Sequence, residues 1–401
     1  MKTAAAVHPM DRLPIWARAA LGAAGVLLLL GALVILPIKI PAYLDFQVLY
    51  QSNMGLLRGV ALYDHAGLVN LIADLAQVTP EQVRVLPFPY PPWYALVTLW
   101  LAWLPIGAAA RVWFGISLVL LVVSTWLLSE GWPPIKRLAA AVLAVFCAPV
   151  LGSLAVGQYG FPVLLGCALM IHALRHASVR ATACAAALLT FKPHLGGLIL
   201  LAVLVHLWQR KDGYGRRAMI AIAGTGVLLF AIGFLADPAW PVNYVRSLLG
   251  YQQDRDVASC AICAGLPAQV GRWLGLSGIT GAFVVGIAIL CVLTAAWLLT
   301  RRRALHDPEM LISVAALVVL LSGAYLLKYD FILLLVPLAV LAGKPHRAGG
   351  WVLLAVIFAL PLLTLLLSRT QGDLVLAACA AMLLVMLYRA KPLLDVSRAG
   401  A

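Results

Sequence analysis

Charge is what this 401-residue chain lacks. Only 11% of its residues are charged and 15 are acidic, where a soluble domain carries about a quarter charged. With 64% hydrophobic residues and a mean hydropathy of +1.00, that shortage excludes an ordinary soluble domain. Gly-rich phosphate loops, Ser nucleophile elbows and HExxH signatures are also missing, which argues against P-loop nucleotide hydrolases, α/β hydrolases and zincin proteases. The seven cysteines form no disulfide framework, because Cys147, Cys167, Cys184, Cys291 and Cys379 are scattered through apolar segments. Cys260-Ala-Ile-Cys263 has CxxC spacing without a second pair or a His ligand, so zinc is not expected there, and in an oxidising compartment the pair could close a small disulfide. The net charge of +14 comes from small Lys and Arg clusters between apolar blocks, which is how topology is set in bilayers and not how nucleic acid is bound. There is no tandem repeat or low-complexity segment.

What the chain has in abundance is apolar runs, and it reads as an all-α polytopic membrane protein with residues 1–401 forming a single transmembrane domain. A crossing needs about 20 apolar residues. The expected crossings are Ala19–Ile38, Pro92–Ile106, Val112–Ser129, Leu138–Val156, Phe161–Leu174, Ala183–Trp208, Ala218–Leu235, Gly278–Leu299, Met310–Leu327, Phe331–Leu341, Trp351–Leu367 and Leu374–Leu387, about twelve transmembrane helices. The first follows Arg12 and Arg18 without a clear small-residue cleavage site, so it is expected to remain as an uncleaved helix. With a cytoplasmic N-terminus, the clusters Arg210/Lys211/Arg216/Arg217, Arg301–Arg303, Lys344/Arg347 and Arg389/Lys391/Arg398 fall inside, as positive charge should. The same parity puts Lys136/Arg137 and Arg175/Arg180 outside, against the rule; half-length or broken helices there would reconcile it. Two long connections lie outside. Residues 39–91 hold Asp45, Asp64, Asp74 and Glu81, with amphipathic stretches Phe46–Leu57 and Leu68–Leu75 expected as short interfacial helices. Residues 237–277 contain Asp254, Arg255 and Asp256.

Several motifs could carry chemistry. Asp45 stands a few residues beyond the first run, between Tyr43 and Phe46; it is either an interfacial charge that stops the helix or a general base whose proton affinity is raised by partial burial. Position alone leaves both open. Phe88-Pro-Tyr-Pro-Pro-Trp93 must be extended and then start a helix with Pro in its first turn, a rigid joint that could also present Tyr90 to a ligand. Gly157-Gln-Tyr-Gly160 is a glycine turn between apolar helices, with Gln158 able to hydrogen-bond a polar ligand. In Phe191-Lys-Pro-His194, Lys192 lies in an apolar segment, where an ammonium costs roughly 2.5–3.5 kcal/mol and calls for a cavity, a partner or a phosphate. Pro193 breaks or kinks the helix there, and Lys192 with His194 would suit a lipid phosphate. In Tyr325-Leu-Leu-Lys-Tyr-Asp330, Lys328 and Asp330 either pair in a tight turn or, with Tyr325 and Tyr329, line the mouth of a polar site.

Taken in order, "LDFQVLY…LLRGVALYD", "FPYPPWYALVTLWLAWLP", "GQYGF", "LLTFKPHLGGLILL" and "YLLKYDFILLLVP" resemble glycosyltransferase family 87, polyprenol-phosphate-sugar-dependent membrane glycosyltransferases of the GT-C superfamily. The resemblance runs from about Asp45 to Pro337. Two departures stand out: Tyr159 where many relatives carry Asn, and Lys328 in place of an acidic or polar residue before Tyr-Asp. The resemblance implies a GT-C-like bundle in a bacterial plasma (inner) membrane with an extracytoplasmic site. Asp45 would be the base that activates an acceptor hydroxyl on a lipid or glycan, and the sugar, mannose or another hexose or pentose, would leave polyprenyl phosphate with inversion. Lys192 and His194 would bind the donor phosphate, and Gln158, Tyr90, Tyr325, Lys328, Tyr329 and Asp330 the rest of the substrates. No cofactor is implied, and no metal-binding cluster is apparent in the sequence. The competing reading is a secondary transporter or lipid flippase, since such proteins also use broken helices and buried cations.

Overall fold

The apolar runs fold as helices. The computed structural model describes residues 43–83, 85–253, 259, 263–276, 278–300, 307–344, 348–367 and 369–389, and among these are seventeen α-helices and no strand. In chain order they are α1 Leu44–Leu57, α2 His65–Ala76, α3 Pro92–Thr98, α4 Ile106–Leu128, α5 Pro134–Val145, α6 Ala148–Val156, α7 Gly160–Arg175, α8 Val179–Leu189 and α9 Pro193–Gln209. There follow α10 Gly213–Gly233, α11 Trp240–Gln253, α12 Leu266–Trp273, α13 Gly278–Thr300, α14 Pro308–Ser322, α15 Leu335–Ala342, α16 Ala348–Ala359 and α17 Arg369–Arg389. The expected first crossing Ala19–Ile38, the charges Asp254, Arg255, Asp256 and Arg301–Arg303, and Arg347, Cys260 and the tail from Lys391 lie outside the described residues.

α4 shows how this sequence builds a span. Ala110, Trp113, Ser117, Leu121, Ser124 and Leu128 are buried at the three- and four-residue spacing of one helical face, while Val119, Val122, Val123 and Trp126 are exposed. The Ser117, Ser124 and Thr125 hydroxyls donate to the carbonyls of Trp113, Leu120 and Leu121, four residues back, so these buried hydroxyls need no water. Exposed Ile220, Val227, Leu228 and Phe230 on α10 and Val284, Ile287 and Val292 on α13 continue an apolar outer surface that suits lipid. Among the described residues, four helices, α4, α10, α13 and most of α17, are long and apolar enough to cross a membrane, and α5 with α6 would make a fifth span bent by 60°. The protein is membrane-embedded; the expected count of twelve crossings is not reproduced by long helices.

The interior is built on α7 and α14, whose residues are buried almost all round. α7 packs on α4 and α8, and α14 on α9, α13, α15 and α17. A second cluster, largely aromatic, covers one end of the bundle: Tyr43, Phe46, Tyr50, Tyr90, Tyr94, Trp113, Tyr159 and Phe191. This corrects one expectation. α1 does not lie in the interface as an amphipathic helix, since Phe46, Leu49 and Asn53 are fully buried within the aromatic cluster; α2, with Asp74 and Leu75 exposed, fits that description better.

The helices run between two ends, and the ends differ in charge. One end carries Asp45, the Gly157 turn, Lys192 and the Lys328–Leu334 3-10 turn. At the other, Arg175 pairs with Glu130 and Glu309, Lys344 with Asp307, and Tyr214, next to Arg210 and Asp212, donates to Ala173. Lys136/Arg137 and Arg175/Arg180 therefore gather with the other basic clusters, at the end opposite Asp45, and the parity that put them on the Asp45 side is corrected. The cause is local. Pro92–Ile106 is no crossing: α3 has seven residues, a 3-10 turn follows at Leu99–Trp103, and the segment stays at the Asp45 end, where Trp93 bonds Thr190 and Tyr50 bonds Leu104. Ala183–Trp208 in turn is two helices, α8 and α9, reversing at Thr190–Lys192. One surplus crossing and one missing crossing cancel, which is why only the stretch between them read against the rule.

Candidate active site

A cavity of about 320 Å³ opens at the Asp45 end, walled by α1, the Leu86–Tyr90 segment, the Lys192–His194 break, α11, α13 and the Tyr325–Asp330 segment. Each wall is placed by a recognisable local device. Pro91 and Pro92 end an extended segment and open α3, holding Pro89 and Tyr90 on the cavity. Pro193 lies in the first turn of α9, where its missing N–H is harmless, so the chain breaks at Lys192. Gly196 permits the reversal, because a Cβ there would run into the Leu189 carbonyl. Gly157 ends α6 in the left-handed region at φ 70°, and a Cβ on it would come within 2.6 Å of Phe46; only glycine satisfies both the turn and the close approach to α1.

Asp45 sits in the first turn of α1, half-buried with its open side on the cavity. Gln158 Nε2 donates to its Oδ2 at 3.0 Å, and the Gln158 carbonyl accepts from Tyr159 N at 2.6 Å and from the Tyr90 hydroxyl at 3.5 Å. The Gln158 side chain is thereby committed to holding the carboxylate. It is buried behind Asp45 and not on the cavity wall, which corrects its expected place as a ligand contact. Tyr159 does something the sequence did not suggest. Its hydroxyl donates to the Asp45 backbone carbonyl and accepts from Leu49 N at 3.2 Å, and so ties itself to two backbone groups one turn apart on α1. Burial pushes the Asp45 carboxyl up to about 6; the Lys192 ammonium opposes that rise, Asp330 adds to it, and hydrogen bonds from Tyr329 and Gln158 oppose it.

Lys192 and Asp330 form the second feature. Nζ donates to Oδ1 at 2.6 Å, and the pair is almost fully buried at 1% and 2% exposure. Asp330 Oδ2 accepts from Leu327 N at 2.8 Å, and Nζ lies 5.1 Å from the Tyr329 ring centre. An ion pair so desolvated holds only with such added partners. Asp330 therefore pairs with Lys192, 138 positions away, and not with Lys328 in a tight turn. Lys328 does not reach the cavity: it is near Gly372 at the start of α17, so it is corrected from a substrate contact to a neighbour of that helix.

Of the residues expected from sequence, Asp45, Tyr90, Lys192, His194, Tyr325, Tyr329 and Asp330 are brought together on the cavity, with His194 exposed on its wall. Tyr244 and Leu248 of α11, Ile279 and Phe283 of α13, and Leu86 and Pro87 also line it, and the sequence reading missed them. Only the aromatic content of residues 237–277 and the prolines beside Tyr90 hinted at them. Cys263 is disulfide-bonded, while Cys147, Cys167, Cys184, Cys291 and Cys379 are free. Among the described residues, one group of three metal-capable side chains converges, and it lies at the far end of the bundle.

The site thus offers a carboxylate of raised proton affinity, a buried cation held by a counter-charge, an imidazole on the wall, and apolar and aromatic surfaces. Compared with known families, the chain matches the family model described as Glycosyltransferase family 87 over residues 88–323, a stretch that includes the Gly157 turn and the Lys192 break. No curated protein and no solved structure gives a significant match.

Proposed function

The chain belongs to glycosyltransferase family 87, and from that premise we propose that the cavity is the site of sugar transfer with Asp45 as general base. Membership favours a transferase over the transporter reading. The acceptor oxygen attacks C1 of the sugar, its proton passes to Asp45, and the bond from C1 to the phosphate oxygen breaks with its electron pair leaving on the phosphate. Attack opposite the leaving group inverts the anomeric centre. The observation that carries this reading is Asp45 on the cavity wall, fixed by Gln158 and set near neutral proton affinity, as a base working near pH 7 should be.

The leaving phosphate gains charge as the bond breaks, and a cation placed where charge develops lowers the barrier. Lys192 and His194 are the groups for that role. Lys192 is held by Asp330 in the resting site, so a phosphate would share that ammonium and not find it free. The apolar side formed by Leu248, Ile279 and Phe283 suits a donor carrying a lipid, which favours a polyprenyl-phosphate sugar, with mannose as the first sugar to try and a lipid or glycan as acceptor. The basic end of the bundle faces the cytoplasm by the distribution of Lys and Arg, so the cavity faces outward from a bacterial inner membrane. A disulfide at Cys263, on that same side, agrees with an oxidising compartment.

The test is to incubate purified protein with a panel of polyprenyl-phosphate sugars and membrane extract, scoring acceptor-dependent release of polyprenyl phosphate. Release from at least one donor is expected. In Asp45→Asn, turnover is expected to fall by roughly 10²–10⁴-fold with an unchanged elution profile. Turnover at the wild-type rate in that variant would remove Asp45 as base.

A further inference from the structure

The far end of the bundle holds a cluster that the sugar-transfer reading leaves unused. α7 carries the chain about 24 Å from the cavity end and finishes on His172-Ala-Leu-Arg-His176, two imidazoles one turn apart. Their ring centres are 4.4 Å apart. Glu130, just beyond α4, stands between them: its Oε2 is 3.0 Å from His172 Nδ1 and its Oε1 2.7 Å from His176 Nε2. All three ligand atoms lie within 4.8 Å of one another. The side chains are 31%, 32% and 52% exposed for Glu130, His172 and His176, so an ion can reach them from solvent.

We propose that Glu130, His172 and His176 bind a divalent cation of the zinc type and thereby join the far ends of α4 and α7. Two imidazoles and a carboxylate are borderline ligands that suit zinc, cobalt or nickel better than magnesium or calcium. Tetrahedral bonds of about 2.0–2.1 Å put ligand atoms about 3.3 Å apart; the two histidines contact different oxygens of Glu130 and one ligand atom from each residue lies within 4.8 Å of the others, so side-chain rotation closes the set onto an ion without moving the helices. In the free protein each facing ring nitrogen donates a proton to Glu130. On binding, each of those nitrogens passes its proton to the other nitrogen of its ring or, where that one is already protonated, to water, and its lone pair goes to the metal, with water completing the fourth position; there is no redox step. Arg175 is the competing cation, 3.7 Å from Glu130 Oε2, but its guanidinium is also engaged by Glu309 from α14, which holds it to one side. The role is structural, because the cluster is a helix-length away from the cavity.

The experiment uses full-length protein in detergent without a polyhistidine tag, stripped by chelator and then titrated with Zn²⁺ in competition with a chromophoric chelator. A parallel titration with Co²⁺ is followed by its visible absorption. Wild type is expected to take up one ion per chain, with a cobalt spectrum of low-coordinate nitrogen and oxygen ligation. His176→Ala and Glu130→Gln are each expected to weaken binding by roughly tenfold or more, while His65→Ala, an exposed histidine on α2, leaves it unchanged. Binding should also weaken in acid, since protons compete with the metal for the ring nitrogens. No saturable uptake by wild type, or equal affinity in His176→Ala and Glu130→Gln, overturns the proposal.

Discussion

Each end of this bundle carries ion pairs, but the two ends use them differently. At the cavity end Lys192 and Asp330 are sealed from solvent and hold each other at 2.6 Å. At the far end Arg210 and Asp212 pair at 2.5 Å in the open, within a turn that Asp212 also caps by accepting from Gly215 N. Each pairs a basic residue with an aspartate, yet water makes the second pair nearly irrelevant to stability, while in its absence neither member of the first can be removed alone without leaving a buried charge. The lesson extends to the aromatics. Tyr388 and Trp208 are exposed at the outer surface, whereas Tyr90, Tyr94 and Tyr159 pack around one another with centres 4.9–5.9 Å apart and fix the wall from which Asp45 projects.

Cutting the buried pair should produce the largest change. Asp330→Ala leaves an ammonium without a partner and is expected to destabilise the protein by about 3–5 kcal/mol, read as a lowered thermal midpoint by tryptophan fluorescence in detergent. A Lys192→Met/Asp330→Leu double variant should recover most of that loss without recovering sugar transfer; recovery of transfer would show that the pair is structural only. Next in size is Tyr159→Phe. Removing the hydroxyl leaves the Asp45 carbonyl and Leu49 N–H without their buried partner, a loss of about 1–3 kcal/mol. Turnover should fall too, because the first turn of α1, which carries Asp45, loses the hydroxyl that ties it to Tyr159; unchanged turnover would mean that this hydroxyl does not position Asp45.

The pH dependence comes third. A base must be unprotonated, so turnover should fall about tenfold for each unit below the Asp45 value of about 6 and level off above it. The stability sign is opposite to that of a salt-bridged carboxylate. A folded-state value raised above the ordinary 3.8 means that the native protein binds the proton more tightly than the unfolded chain. Stability should therefore decline as pH rises from 3.8 to about 6 and stay flat beyond, and Asp45→Asn should abolish that slope. An acid limb in turnover that persists in a variant with residual activity would assign it to another group. The smallest effect is expected at the far end: Arg210→Ala should leave both thermal midpoint and turnover unchanged within error. A marked loss there would contradict the contrast between the two ends.

Much of the site could be read along the chain because its parts are marked by residues that apolar segments rarely tolerate. Lys192 beside Pro193 announces a break and a need for charge compensation, and Gly157 announces a turn. The errors arose where a local pattern is ambiguous. Pro92–Ile106 is apolar enough to cross, but its prolines and 3-10 turn shorten it. Ala183–Trp208 has the hydropathy of one long span, and Pro193 divides it into two. α1 reads as amphipathic, and its polar positions Ser52 and Asn53 are nevertheless buried; Asn53 Nδ2 donates to Thr98 of α3, a partner that no periodicity reveals.

The sequence by itself determined the class of molecule: scarce charge and long apolar runs require a bilayer, a bilayer requires helices whose backbone bonds are internal, and the ordered motifs carry the family. It also singled out Asp45 as a carboxylate worth testing. Only the tertiary structure decided that Lys192 pairs with Asp330, that Gln158 and Tyr159 hold Asp45 from behind, and that every basic cluster described gathers opposite the cavity. The reason is physical. The cost of burying a charge or a hydroxyl is set by the residue itself, so sequence reveals it, while the group that meets that cost is chosen by helix packing between segments far apart in the chain.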